Sequence, residues 1–105
     1  MALSDRPTAI FAANDDMAAA VLHVAHELSI DVPGQLSVAG FDDTPLSQHV
    51  WPTLTTVRQP VTEMARQATA QLIDRIRKRG QIPAVGPSAM YCSLVIRDST
   101  GRAPT

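Results

Sequence analysis

Thr8-Ala9-Ile10-Phe11-Ala12-Ala13-Asn14-Asp15-Asp16-Met17-Ala18 runs from an apolar stretch through a polar turn into apolar residues at helical spacing. Residues 8–13 are expected to form a short buried strand, ended by the turn-forming Asn14-Asp15-Asp16. A helix over residues 15–29 follows. Asn14 or Asp15 can cap it, and the acidic first turn suits the positive end of the helix dipole. Met17, Val21, Val24, Ala25 and Leu28 make its expected buried stripe. Pro33-Gly34 then breaks the chain, and Leu36-Ser37-Val38-Ala39-Gly40-Phe41 reads as a second strand. It is apolar nearly throughout, as a parallel strand covered on both faces is. Strand, helix, strand is the unit of a parallel-sheet α/β fold.

Further along, residues 46–51 read as a short helical or irregular stretch stopped by Pro52, and residues 54–57 as a third strand-like piece. A long helix is expected from Pro60 to Arg79, with Val61, Met64, Ala65, Ala68, Leu72 and Ile76 as its apolar stripe and Gly80 placed to end it. Residues 88–97 form the last strand region, and residues 99–105 look like a loose tail. The chain has 105 residues, room for one small domain. Its strands are buried-type from the outset, so it is expected to begin in the middle of a larger fold. A formal net charge of −1 lacks the positive field of a stand-alone nucleic-acid-binding domain. Cys92, the single cysteine, fits a reducing compartment and is expected to be a buried thiol. No apolar run reaches membrane-spanning length and no secretion signal is visible, so a cytoplasmic protein is expected.

Two polar clusters stand at equivalent places. Asn14-Asp15-Asp16 follows the first strand and Asp42-Asp43 the second. A right-handed crossover places both at the carboxyl edge of one sheet, where open α/β folds bind ligands. A carboxylate that accepts from neighbouring hydroxyls and an amide that donates and accepts suit a polyhydroxylated ligand. The same residues in those places also serve as caps and turns. Asp15 and Asp16 are assigned to capping and the dipole, and Asp43 to a turn or cap. His23 and His26 lack a third metal ligand, and the basic residues 75–79 suit a helix C-terminus. Trp51, beside Pro52, is expected to pack or to lie in an interface. No phosphate loop, nucleophile elbow or zinc spacing is present, so no catalytic residue, cofactor or metal is assigned.

Three segments resemble the lactose-repressor-type (LacI/GalR) regulators. Pro7 through Ala18 looks like their "PTAIFAxNDxMA" segment, Val32-Pro33 through Asp43 like "VPxDLSVVGFDD", and Pro52 through Pro60 like "PPLTTVRQP". Leu94-Val95-Ile96-Arg97-Asp98-Ser99-Thr100 fits their last strand. Gly34 and Thr53 depart from the pattern, away from the candidate site. The resemblance implies a periplasmic-binding-protein-like fold of two α/β subdomains with ligand in the cleft between them. This chain would be its C-terminal fragment. Residues 7–55 and 92–98 would belong to the C-terminal subdomain, and residues 60–91, including a strand around 87–90, to the N-terminal one. By the same resemblance Asn14 and Asp42 bind the effector, and the first helix and residues 46–51 lie at a dimer interface.

The implied function is effector sensing and dimerisation within a bacterial transcription regulator. Its partners would be a small molecule, a sugar by expectation, a second copy or larger assembly, and operator DNA only through a headpiece this chain lacks. The alternative is a periplasmic sugar-binding protein of a transporter. An α/β enzyme is a distant third, for want of a nucleophile–base pair or cofactor loop.

Overall fold

The structure, a computed structural model, describes residues 5–78 and 90–105. It divides into two compact units: residues up to Arg58 together with Ser93–Thr105, and Gln59–Cys92.

In the first unit, β1 (Ala9–Phe11) leads into α1 (Asp15–Glu27) and β2 (Ser37–Ala39). β1 and β2 are parallel, with Ile10 opposite Val38. Hydrogen bonds from Ser37 N to Thr8 O and from Ala12 N to Ala39 O carry the pairing beyond both ends of β1. After α2 (Leu46–His49), the chain passes β2 again, where Thr55 makes a parallel bridge to Ala39. It then forms β3 (Thr56–Arg58), antiparallel to β4 (Ser93–Val95). The strands are shorter than the apolar runs that contain them.

The core gathers Ala12, Ala18, Leu22, Ala25, Leu36, Val38 and Leu54. This corrects the expected stripe of α1. Met17, Val24 and Leu28 are about half exposed, and of the expected set only Ala25 is buried. The helix turns its small-residue face inward because it lies very close to the end of β2. A Cβ on Gly40 would stand 3.2 Å from Ala18 Cβ and 2.5 Å from an Asp15 oxygen. Larger side chains on that face would hold the helix off the sheet.

Two further expectations fail in this unit. β1 is not the buried strand expected of residues 8–13 among the described residues, since Phe11 is 65% exposed. The tail is not loose at its start. Ser99 is fully buried, its carbonyl accepts from Val38 N at 2.9 Å, and its Oγ accepts from Thr55 N at 2.8 Å. Gly101 N donates to Ser37 Oγ. Beyond the Thr55 bridge, β2 needs a partner on this side, and the backbone at Ser99 supplies one.

The second unit is built on α3 (Val61–Arg77), entered from Pro60 and ended at Lys78. None of its residues is buried; Val61, Leu72 and Ile76 are each about 60% exposed. The expected apolar stripe therefore lacks cover among the described residues. Gly80 and residues 87–89 of the expected strand lie outside them. Among the described residues, no helix is long and apolar enough to cross a membrane.

Candidate functional site

Asn14 and Asp42 meet at the carboxyl end of the parallel pair. The amide of Asp15 donates to the carbonyl of Phe41 at 3.1 Å, so the Asn14–Asp15 and Phe41–Asp42 peptide groups are directly hydrogen-bonded. The backbones of Asn14 and Asp42 are therefore neighbours in the turns that follow β1 and β2. Asn14 is extended, and its Oδ1 accepts from Met17 N at 2.8 Å to cap α1. This cap occupies the carbonyl oxygen and leaves the amide's NH2 group available.

Asp42 and Asp43 both have positive φ, at 114° and 56°. Side chains rarely take such backbone, and each instance costs on the order of 1–3 kcal/mol unless its surroundings enforce it. Here they do. Asp42 N donates to Val57 O at 2.9 Å and Asp43 N to Thr56 Oγ1 at 3.2 Å.

Two buried carboxyl groups support this turn: Asp15, expected to cap or to serve the helix dipole, and Asp43, which stands in the turn as expected but caps no helix. Asp15 is fully buried rather than a surface dipole group. Its Oδ2 accepts from Thr44 N at 2.7 Å and Thr44 Oγ1 at 3.0 Å, and its Oδ1 from Thr56 Oγ1 at 2.7 Å. The cap is Asn14 alone. Asp43, with a side chain 6% exposed, does not cap α2, whose N-cap is Pro45. Its Oδ1 accepts from Arg97 Nη2 at 2.7 Å and Ser47 Oγ at 3.1 Å, and its Oδ2 from Arg58 Nε at 2.7 Å.

Burial pushes the Asp43 carboxyl up. Hydrogen bonds from Arg97, Arg58 and Ser47, with the charge of Arg97, outweigh burial and hold it below its ordinary value. A carboxyl whose pKa is lowered by folding stabilises the fold above its unfolded pKa. That contribution is lost as pH falls through the lowered, folded value. Stability should therefore drop on acidification below about pH 4, and Asp43→Asn should show a shallower decline. Urea unfolding at about pH 5 and about pH 3 checks this; equal declines in both chains would rule Asp43 out as the cause.

The remaining candidates disperse. His23 pairs with Glu27 at 3.0 Å, and Lys78 with Asp74 at 3.2 Å. Among the described residues no group of three His, Cys, Asp or Glu side chains could hold a metal. Trp51 is 88% exposed and is not packed by the described residues. Cys92 is exposed, against the buried thiol expected of it. A cavity of about 290 Å³ lined by Ile10, Val21, Val24, Leu28, Ile30 and Leu36 lies away from Asn14 and Asp42. It offers no polar side chain to orient a polyol, so the polar edge is the better candidate.

Sequence reading passed over Arg97, Ser47, Thr44 and Thr56. A signal existed for Arg97, a cation closing the apolar run Leu94-Val95-Ile96, since a charge so placed calls for a partner.

The chain matches the periplasmic binding protein-like domain family over residues 1–100. It is 42% identical over 98 residues to the transcriptional regulator MalR of Streptomyces coelicolor, an alignment covering 92% of this chain and 28% of MalR. A LacI-family transcriptional regulator from Sanguibacter keddieii superposes with a TM-score of 0.82 at 38% identity, over 94% of this chain and 38% of that one. A LacI-family regulator from Lactobacillus casei, solved with bound sucrose, gives 0.74 at 34% identity, over 90% and 34%. This chain thus spans only about 28% of the length of the curated relative. Motifs, sheet-edge geometry and these matches agree: the chain belongs to the periplasmic binding protein-like domain family, in the form found in LacI/GalR transcription regulators.

Proposed function

We propose that this chain is the C-terminal part of the effector-sensing region of a LacI-type transcription regulator, with Asn14 and Asp42 binding hydroxyls of a sugar. The observation that carries this reading is the hydrogen bond from Asp15 N to Phe41 O, which joins the backbones bearing Asn14 and Asp42 at the carboxyl edge of a parallel pair. The sucrose held by the Lactobacillus casei regulator supports the ligand class. Residues 7–55 and 92–98 form the C-terminal subdomain in this reading, and residues 60–91 contribute to the N-terminal one. The division of the chain at Arg58 and Ser93 supports that assignment. Operator DNA is reached through a headpiece outside this chain, and the protein acts by binding rather than catalysis. The exposed Met17, Val24, Leu28 and Trp51 support a self-associating surface on α1 and beyond α2. A transport receptor is the weaker reading, because the relatives named above are regulators.

Calorimetry on the full-length regulator with glucose, sucrose and cellobiose tests this. Asn14→Ser is the informative variant, because serine also caps helices but brings no amide. It should keep the stability of α1 and lose a neutral hydrogen bond to ligand, about 0.5–1.5 kcal/mol or roughly two- to tenfold in affinity. Absence of binding to any of the three sugars, or an unchanged affinity in Asn14→Ser, would overturn the proposal.

A further inference from the structure

The Asp42 turn is held from a distant part of the chain. Arg97, just past β4, has a side chain only 14% exposed. Besides Asp43 Oδ1, it reaches Ser47 Oγ at 2.8 Å and Leu54 O at 3.0 Å, both from Nη1. Its planar fork thus ties the second turn residue, the first turn of α2 and the approach to β3 into one cluster. Arg58 also pairs with Asp43, but with a side chain 59% exposed it is open to solvent screening.

We infer that Arg97 is a positioning residue for the effector site, holding the Asp42–Asp43 turn in its positive-φ conformation so that the Asp42 carboxyl keeps its place at the sheet edge. This deepens the functional reading above and rests on it for the meaning of the site, but the mechanical claim stands on its own geometry. A turn of two positive-φ residues that are not glycine relaxes unless its surroundings hold it. Arg97 acts on that turn through Asp43 and touches no ligand itself. A lysine would preserve the charge yet lose the fork, which makes the two cations unequal here.

Hydrogen–deuterium exchange on the full-length regulator, read by mass spectrometry, decides it. Peptides over residues 40–44 report Gly40 N on Thr55 O, Asp42 N on Val57 O, Asp43 N on Thr56 Oγ1 and Thr44 N on Asp15 Oδ2. In Arg97→Gln their exchange should rise by about tenfold or more while peptides within α1 stay unchanged, with Arg97→Lys falling between. Arg97→Lys, which keeps the charge, decides alone if Arg97→Gln does not fold. Unchanged exchange at residues 40–44, or an equal rise in α1, would overturn the inference in favour of a bystander or a purely structural residue. Binding of glucose, sucrose or cellobiose by the same variants is the separate readout. If the unaltered regulator binds none, the functional reading fails while exchange still decides the role of Arg97. If one binds, Arg97→Lys should weaken it by about threefold or more; unchanged affinity would deny Arg97 any part in positioning the site.

Discussion

Asp15→Ala is expected to destabilise the chain by about 3–5 kcal/mol, the largest effect of any single substitution at this sheet edge. Three donors converge on the carboxyl: the Thr44 amide, the Thr44 hydroxyl and the Thr56 hydroxyl. Each buried donor left without a partner costs about 1–3 kcal/mol, although a hydroxyl can swing elsewhere and a backbone amide cannot. Removing a buried acid can also be favourable, because a charge no longer needs to be kept from water. Here the donors decide the sign, since alanine gives none of them an acceptor and leaves a void beside Gly40. Asp15→Asn keeps the shape and one acceptor oxygen but points an NH2 group at donors, and should cost about 1–3 kcal/mol. With an ordinary urea dependence of about 1–3 kcal/mol per molar, the alanine variant should unfold at least about 1 M earlier. A loss below about 1 kcal/mol would mean that the Asp15 cluster does not hold the edge together.

Asp15 also shows where sequence reading stops. Asp15 and Asp16 are adjacent acids in the first turn of the same helix, and nothing local says which one turns inward. That is settled by Thr44 and Thr56, which arrive from later in the chain to meet Asp15. The rotation of α1 was hidden for a similar reason. Met17, Val24 and Leu28 are as hydrophobic, but the close approach of the helix to Gly40 selects the face of Ala18, Leu22 and Ala25. What was legible depended on chain order alone. Two apolar runs, each ending in a polar cluster and separated by one helix, place Asn14 and Asp42 at the same end of a parallel pair, and they are found there. The partnership of Asp43 with Arg97 could not be read, because the two lie 54 residues apart and only β4 brings them together. The tail misled because Ser99-Thr100-Gly101 has the composition of a loop, while its backbone serves as a partner for β2.

Asp42→Gly should move stability and sugar binding in opposite directions. At φ 114° the aspartate holds a conformation that glycine adopts without penalty. Relief of roughly 1–3 kcal/mol of strain is partly offset by about 0.5–1 kcal/mol, because glycine loses more freedom on folding. The net expectation is a chain as stable as the wild type or up to about 2 kcal/mol more so. Binding should suffer, because a charged hydrogen bond to a ligand hydroxyl is lost. That costs about 1.5–3 kcal/mol, roughly ten- to hundredfold in affinity. Asp42→Ala separates the two effects. It loses the same hydrogen bond but keeps a Cβ in the strained backbone, so it should bind as poorly as the glycine variant and be less stable by about 1 kcal/mol or more. A carboxyl with only a structural role would give the opposite result, with both variants less stable and sugar affinity nearly intact. Urea unfolding paired with calorimetry on the full-length regulator distinguishes the cases. If Asp42→Gly is destabilised, or if both variants bind sugar within about twofold of the wild type, Asp42 is not the ligand contact its strained position suggests.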